Sequence, residues 1–505
     1  MKTAIRYCVA LLACLPAAGC SKLAQEDDTQ AEAAHVAVAS QAPGITPFIA
    51  NVALRLDDVA NLDSVSYTVA AMPGSFSKPV AVTYTRAWFD RKGAWSAADK
   101  RLAFAVFGLY ADYQNSVTIT ARFRDKSTHV ERLTLAAPAY TGPGAVYNTP
   151  QVLSARSAAV APGFDYMMLQ NGLTTPAVID SDGKLRWVGL DPTNSVSSTF
   201  ADNAFTVGSP TTPVLFRLEL GGAYTARPLA STRYTNFHHD LTPGKTGLLA
   251  ELDALDGGVA KFESNLVEIN QAGEIIKEWD LAAIFRAAML AGGDDPANFV
   301  RDGADWFHMN SAFYNRADDS LLISSRENFV VKLDYTTGRI KWLLGDTTKH
   351  WYADYPSLRA LALKLSYGKA PVGQHSLSIA ANGELLLFDN GLGSLNQPAG
   401  TSPGISRDSS TPSRYAIDET ARTATLTWSY APAAPIYSDI CSSVYEAGAA
   451  NHYLVTYSVA ATRTRTKLVA LDSAGKVAFD YEYPASTCAV AFSSKAVDFS
   501  DLTLN

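Results

Sequence analysis

The sequence has little charge, few cysteines and no basic run. Only 18% of its 505 residues are Asp, Glu, Lys or Arg, against roughly a quarter in an average soluble protein. The formal net charge is -7 with no cluster of Lys or Arg, which argues against a nucleic-acid footprint. Beyond the N-terminus no apolar stretch is long enough to span a bilayer. What is present in quantity is apolar: 47% of residues are hydrophobic, and 33 Gly and 24 Pro are scattered along the chain. That composition excludes a disordered or collagen-like chain.

Three of the five cysteines lie in the first twenty residues. Lys2 and Arg6 begin a short positive segment, Tyr7 to Leu15 is apolar, and Ala17-Ala18-Gly19 offers small residues for cleavage, so residues 1–19 read as an export signal. Cys20 after Gly19 resembles a bacterial lipobox, in which the cysteine is lipidated, although Ala17 stands where Leu is commoner; ordinary secretion is the alternative. Residues 20–44, rich in Ala, Gln, Asp and Glu without periodicity, read as a lipidated cysteine and a flexible tether. The expected location is the periplasm, on the outer rather than the inner membrane because Ser21 is not a retention Asp. Cys441 and Cys488 are then the two cysteines of the folded body and form a disulfide candidate, two buried thiols being the alternative.

Residues 45–142 carry short alternating runs such as Ala50 to Leu56, Ser66 to Val69, Val80 to Tyr84 and Ser116 to Ala121, the pattern of a small β-sandwich. From 150 onward a repeat appears: an apolar strand, an Asp or Asn, a turn, then a strand ending on an aromatic. Its copies centre on Asp180 with Trp187, Asn270 with Trp279, Asp334 with Trp342, Asp418 with Trp428 and Asp472 with Phe479. A degenerate copy, Val214 to Leu220 with Gly221-Gly222, fills the widest interval. Six copies across residues 150–505 predict an all-β chain, a six-bladed β-propeller preceded by a small N-terminal β-sandwich. A pair of sandwiches or an eight-stranded barrel is the competing architecture.

A second repeat lies within the first. His238-His239-Asp240, His308-Met309-Asn310 and Gln374-His375-Ser376 each precede an apolar strand. Equivalent positions in adjacent blades stand at one height around the axis, so four of the eight histidines are expected to converge on the channel.

With the segments Asp305-Trp306-Phe307-His308-Met309-Asn310-Ser311, Ser324-Ser325-Arg326, Thr337 to Gly345 and Phe388-Asp389-Asn390-Gly391 added, the chain resembles bacterial aryl sulfotransferases, which do not use a nucleotide sulfate donor. The resemblance implies ping-pong transfer of a sulfuryl group from an aryl sulfate ester to a phenol through a sulfohistidine on His375. It places further catalytic roles on His308, Arg326 and the His238-His239 pair, with His239 favoured slightly, and substrate contacts on Asn310 and Arg326. The aromatics beside these motifs, Phe237, Trp306 and Phe307, could stack on the substrate ring, with propeller packing an equal alternative for each. The family's disulfide joins two nearby cysteines, whereas Cys441 and Cys488 are 47 residues apart.

These residue types suit the chemistry. A neutral imidazole is a competent nucleophile near neutral pH, and cationic or amide donors stabilise charge on the transferring oxygens. A phenolate leaving group with a pKa near about 10 benefits from an acid, a role for His238, His239 or His308. No cofactor is expected and no divalent metal is demanded. The expected partners are the aryl sulfate donor and phenolic acceptor, a membrane through the lipid anchor alone, and a second copy of the chain, since the related enzymes can be dimeric. Two alternatives remain: a non-catalytic outer-membrane scaffold, and a hydrolase holding zinc through three histidines, against which the nearby Arg326 cation argues.

Overall fold

The structure is a computed structural model describing residues 36–190 and 192–505. The export signal, Cys20 and the tether as far as residue 35 lie outside the described residues. Where the tether was expected to run to 44, Val36–Pro43 is instead a strand paired antiparallel with Ile49–Leu56.

The N-terminal part contains two sheets. One orders Val36–Pro43, Ile49–Leu56, Arg101–Phe107 and Trp95–Ser96; the other orders Leu502–Leu504, Val80–Thr85, Leu62–Val69, Tyr113–Phe123 and Thr128–Ala137. Alternation along these strands sends Leu54, Leu56, Val65, Tyr67, Val82, Tyr84, Phe104 and Val106 into one core, as a period of two requires. The second sheet recruits the C-terminal strand Leu502–Leu504, which runs parallel to Val80–Thr85. The chain's end, expected with the repeats, therefore completes the N-terminal sheet. Tyr166, Trp187, Phe205 and Leu218 of the repeat region share the same core. Arg186 clamps the junction: its guanidinium pairs with Asp180 at 3.0 Å, donates to the Gly108 carbonyl and lies over the Tyr110 ring.

The remainder is a succession of sheets, antiparallel except for the outer strand Lys364–Tyr367, which pairs parallel with Thr423–Ser429; their first strands are Ser493–Val497, Ser198–Ala201, Tyr234–Pro243, Met309–Asn315, His375–Ile379 and Ser443–Glu446. First strands of consecutive sheets touch from Ser198–Ala201 through Ser443–Glu446, which in turn contacts Ser493–Val497; Tyr166–Gln170 beside that strand touches Ser198–Ala201. The succession thus closes into a ring, the arrangement of a β-propeller. Two pairings cross the chain's ends: Ser493–Val497 with Tyr166–Gln170, and Gln151–Ser154 with Val477–Pro484.

The sequence repeat is the hairpin joining the third and fourth strands of each sheet. Its carboxylate or amide makes the turn, since the Oδ1 atoms of Asp180, Asn270, Asp334, Asp418 and Asp472 each accept backbone N–H groups two to four residues on. Gly183, Gly273, Gly338 and Gly475 supply a positive φ, and Arg422 takes φ 54° in the copy that lacks a glycine. The tryptophans tie each sheet to its neighbour: indole N–H groups of Trp187, Trp279 and Trp342 donate to Leu220 O, Tyr335 O and Glu419 Oε1 in the following hairpin.

Candidate active site

Three successive first strands carry the histidines at one end. His238 and His239 lie within Tyr234–Pro243, where the pairing register shifts between Phe237 and Leu241; His308 directly precedes Met309–Asn315; His375 begins His375–Ile379. His239, His308 and Ser376 have φ of 48°, 51° and 48°, a costly backbone region for residues with a Cβ. These bulges turn the rings out of the sheet and towards one another. The His239 and His308 rings are 5.0 Å apart, and the Phe492 ring lies 5.6 Å from His239 and 6.2 Å from His375.

His375 is the best-defined ring. Asn390 donates its amide N–H groups to Ser438 O (2.7 Å) and Cys441 O (2.9 Å), so its Oδ1 faces His375 Nδ1 at 2.7 Å. Nδ1 therefore carries the proton and Nε2 a lone pair, which receives the Cys441 backbone N–H at 3.2 Å. Burial lowers the His375 pKa to about 3; the bond to Asn390 opposes this, and the charges of His308 and Arg326 add to the lowering. The ring is neutral across the physiological range.

His308 is the opposite case. Its Nδ1 is 2.7 Å from Glu263 Oε2 and 2.5 Å from Asp305 Oδ2. Burial works against its charge, yet the two carboxylates outweigh it and lift the pKa to about 9. His239 is held well below the usual range, by burial first, against the pull of Glu263. Its Nδ1 is 3.0 Å from His238 Nδ1 and 3.8 Å from Glu263 Oε2. His238 in turn sits between Glu251 (3.7 Å from Nδ1) and Asp253 (3.8 Å from Nε2). Glu251 is 1% exposed, and neither of its carboxylate oxygens has a hydrogen-bond partner.

Arg326 is buried. Its backbone N–H donates to His308 O, its Nη2 pairs with Glu327 at 2.6 Å, and its Nε is a buried donor without a partner. Asn310 donates to Gln374 O at 2.9 Å, leaving its own Oδ1 buried and unpartnered. Cys441 and Cys488 form a disulfide with Cα atoms 6.4 Å apart, fastening the segment that meets His375 Nε2 to the one that leads to Phe492.

Of the two readings open for Phe237 and Trp306, substrate stacking and propeller packing, the second is what the structure shows. Phe237 is in a core with Leu215, Leu229, Tyr234 and Leu252, and Trp306 is in an aromatic core with Phe285, Phe299 and Phe307. Both precede the bulge, so their side chains point into the sheet packing. Sequence reasoning missed Glu263, Glu251, Asn390 and Phe492 as partners of the histidines. Asn390 stood inside a quoted motif; Glu263 lies on the unusually long hairpin of Leu248–Asp256 and Val259–Ile269, and Phe492 four residues past Cys488, with no pattern to mark either.

The arrangement offers a lone pair on a neutral imidazole, a buried guanidinium N–H and flanking imidazoles, which together can receive an anion and carry a displacement on it. Two groups, His238-His239-Glu251 and His239-Glu263-His308, have ligand atoms close enough to hold a metal ion.

The sequence model of the family described as Arylsulfotransferase (ASST) matches residues 128–494. Arylsulfate sulfotransferase AssT of Escherichia coli O6:H1 (strain CFT073) is 27% identical over 218 residues, 34% of this chain and 35% of that protein. The protein of the same name from Lelliottia amnigena is 27% identical over 216 residues, again 34% and 35%. The matched region thus spans about a third of the length of these curated relatives. Among solved structures, the β-propeller domain of Cps50 (Swd1) from Myceliophteria thermophila overlaps 65% of this chain and 88% of its own at 11% identity and a TM-score of 0.35, too slight an overlap to argue from.

Proposed function

Because the chain belongs to the arylsulfotransferase (ASST) family, we propose that it moves a sulfuryl group from an aryl sulfate ester to a phenol through a covalent intermediate on His375. The observation that carries this reading is the Asn390–His375 bond, which leaves a lone pair on Nε2 of a buried neutral ring. In the first displacement the Nε2 lone pair exchanges its hydrogen bond from the Cys441 N–H for a bond to sulfur as the sulfur–aryl oxygen bond breaks, and the departing phenolate takes a proton from the His239–His308 side. In the second, the phenol oxygen of the acceptor bonds to sulfur, the N–S bond breaks, the lone pair returns to Nε2 and the phenol proton returns to the flanking imidazoles. The Nε of Arg326 and the flanking rings suit the anionic oxygens of the group in transit.

In this reading the ring of sheets is a six-bladed propeller over 150–505 and residues 45–142 a sandwich that supports it. The protein is exported and anchored in the outer membrane through Cys20, with an aryl sulfate, a phenol and a second copy of the chain as partners. The test is to mix the protein with a chromogenic aryl sulfate alone and weigh it. A gain of one acid-labile sulfuryl group, absent in a folded His375→Ala variant, is expected; turnover unchanged in that variant sinks the assignment. Palmitate labelling that survives Cys20→Ala would remove the anchor, and sedimentation as a monomer would remove the dimer.

A cation-dependent hydrolase is a second reading, favoured by the grouping of His239, Glu263 and His308. It requires activity on aryl sulfates to yield inorganic sulfate without acceptor and to vanish on chelation.

A further inference from the structure

Two imidazoles turn the same atom towards one point: His238 Nδ1 and His239 Nδ1 face each other at 3.0 Å. Two facing ring nitrogens need a shared proton or a shared cation, since both cannot present lone pairs. The carboxylates supply a second, independent sign. Glu251 is buried with both oxygens unpartnered, its Oε2 3.7 Å from His238 Nδ1. An unsatisfied buried carboxylate beside two imidazoles is costly as it stands.

We propose that His238 and His239, through their Nδ1 atoms, together with Glu251, form a binding site for a divalent transition-metal ion of the zinc class. Mixed imidazole and carboxylate donors are the set such ions take. Arms of 2.0 to 2.2 Å in tetrahedral geometry separate ligand atoms by about 3.3 Å; the separations of 3.0 and 3.7 Å bracket that value. Asp253 beside the opposite nitrogen of His238 occupies the place where a ligating histidine usually finds an outer carboxylate. Arg326 does not oppose the ion as expected from sequence, because Glu327 pairs with its guanidinium.

The ion would not touch sulfur. Bound at Nδ1, it would fix the His239 ring with N–H at Nε2, make that N–H group a better proton donor, and offset the carboxylates that otherwise oppose an anionic substrate. The site stands on geometry alone and does not require the sulfotransferase reading.

The experiment is cobalt titration of the metal-stripped full chain, followed by visible ligand-field absorption and elemental analysis, with sulfotransfer measured separately. About one equivalent of Co²⁺ with tetrahedral-type bands is expected, displaced by Zn²⁺. Glu251→Gln, an isosteric change, should weaken binding by at least about tenfold, while His375→Ala should lose sulfotransfer and keep the cobalt spectrum. No cobalt bands in the wild type, or bands unchanged in Glu251→Gln and in His239→Asn, overturn the proposal. A wild type that binds cobalt but transfers no sulfuryl group leaves the metal site standing and removes the sulfotransferase reading.

Discussion

Asn390 sets the tautomer of His375. With both amide N–H groups committed to Ser438 O and Cys441 O, Asn390 has only its Oδ1 to offer, and His375 Nδ1 must donate to it. The reactive nitrogen is thereby Nε2, and a partner 15 residues along the chain has chosen it.

Asn390→Ala removes that choice and leaves the ring free to protonate either nitrogen. Its kcat/KM on an aryl sulfate is expected to fall by about 10- to 100-fold, the usual effect of losing a group that orients an imidazole. Asn390→Asp keeps an acceptor but adds a charge that raises the His375 pKa, so it should acquire an acidic limb in its pH–rate profile that the wild type lacks. A wild-type profile in the aspartate variant would show that Asn390 does not govern the ring.

The depressed pKa of His375 has a consequence for stability. The ordinary value is 6.5 and the folded value about 3, so between these pH values the unfolded chain binds a proton that the folded chain does not. Stability from this group is therefore complete above pH 6.5 and declines as pH falls towards 3. In His375→Ala the term is gone. Thermal unfolding followed from pH 7 to pH 4 should show a smaller loss in the variant than in the wild type; equal losses would refute the burial of a neutral ring.

The disulfide closes a loop of 47 residues. A Cys441→Ser/Cys488→Ser double variant should lose about 2 to 4 kcal/mol of stability in denaturant unfolding. Amide exchange at Cys441 and Ser442 should quicken beyond what the global loss explains, since that backbone then lacks its fastening to the segment leading to Phe492.

Arg422 has φ 54° at the hairpin position that glycine fills in four other copies. Arg422→Gly relieves that strain while adding freedom to the unfolded chain, and the balance should be a gain of roughly 0.5 kcal/mol or somewhat more. Denaturant midpoints of the two proteins decide it, and a loss of stability would mean the Arg422 side chain holds the hairpin in another way.

The sequence was legible where structure is local. The hairpin copies are read from an Asp or Asn, a glycine and an aromatic because the turn bonds are made within four residues. The three histidine segments are likewise legible as equivalents, since they lie in or directly before successive first strands. Phe237 and Trp306 stay open between stacking and packing in sequence for a reason of the same kind: an aromatic next to a catalytic segment looks alike whether it precedes the bulge and faces the core, or follows it.

By itself the sequence determined the strand periodicity, the repeated hairpin and the residue types that gather at one end of the ring, because each depends on neighbours a few residues away. Only the tertiary structure decided which groups those histidines meet. Glu263, Glu251 and Phe492 come from other strands and from the far end of the chain, and a carboxylate or an aromatic ring carries no mark in sequence of being buried. Whether Glu251 is a solvated acid or an unpartnered oxygen pair beside His238 is settled by the long-range pairing that removes it from water, and that pairing is also what makes its chemistry worth testing.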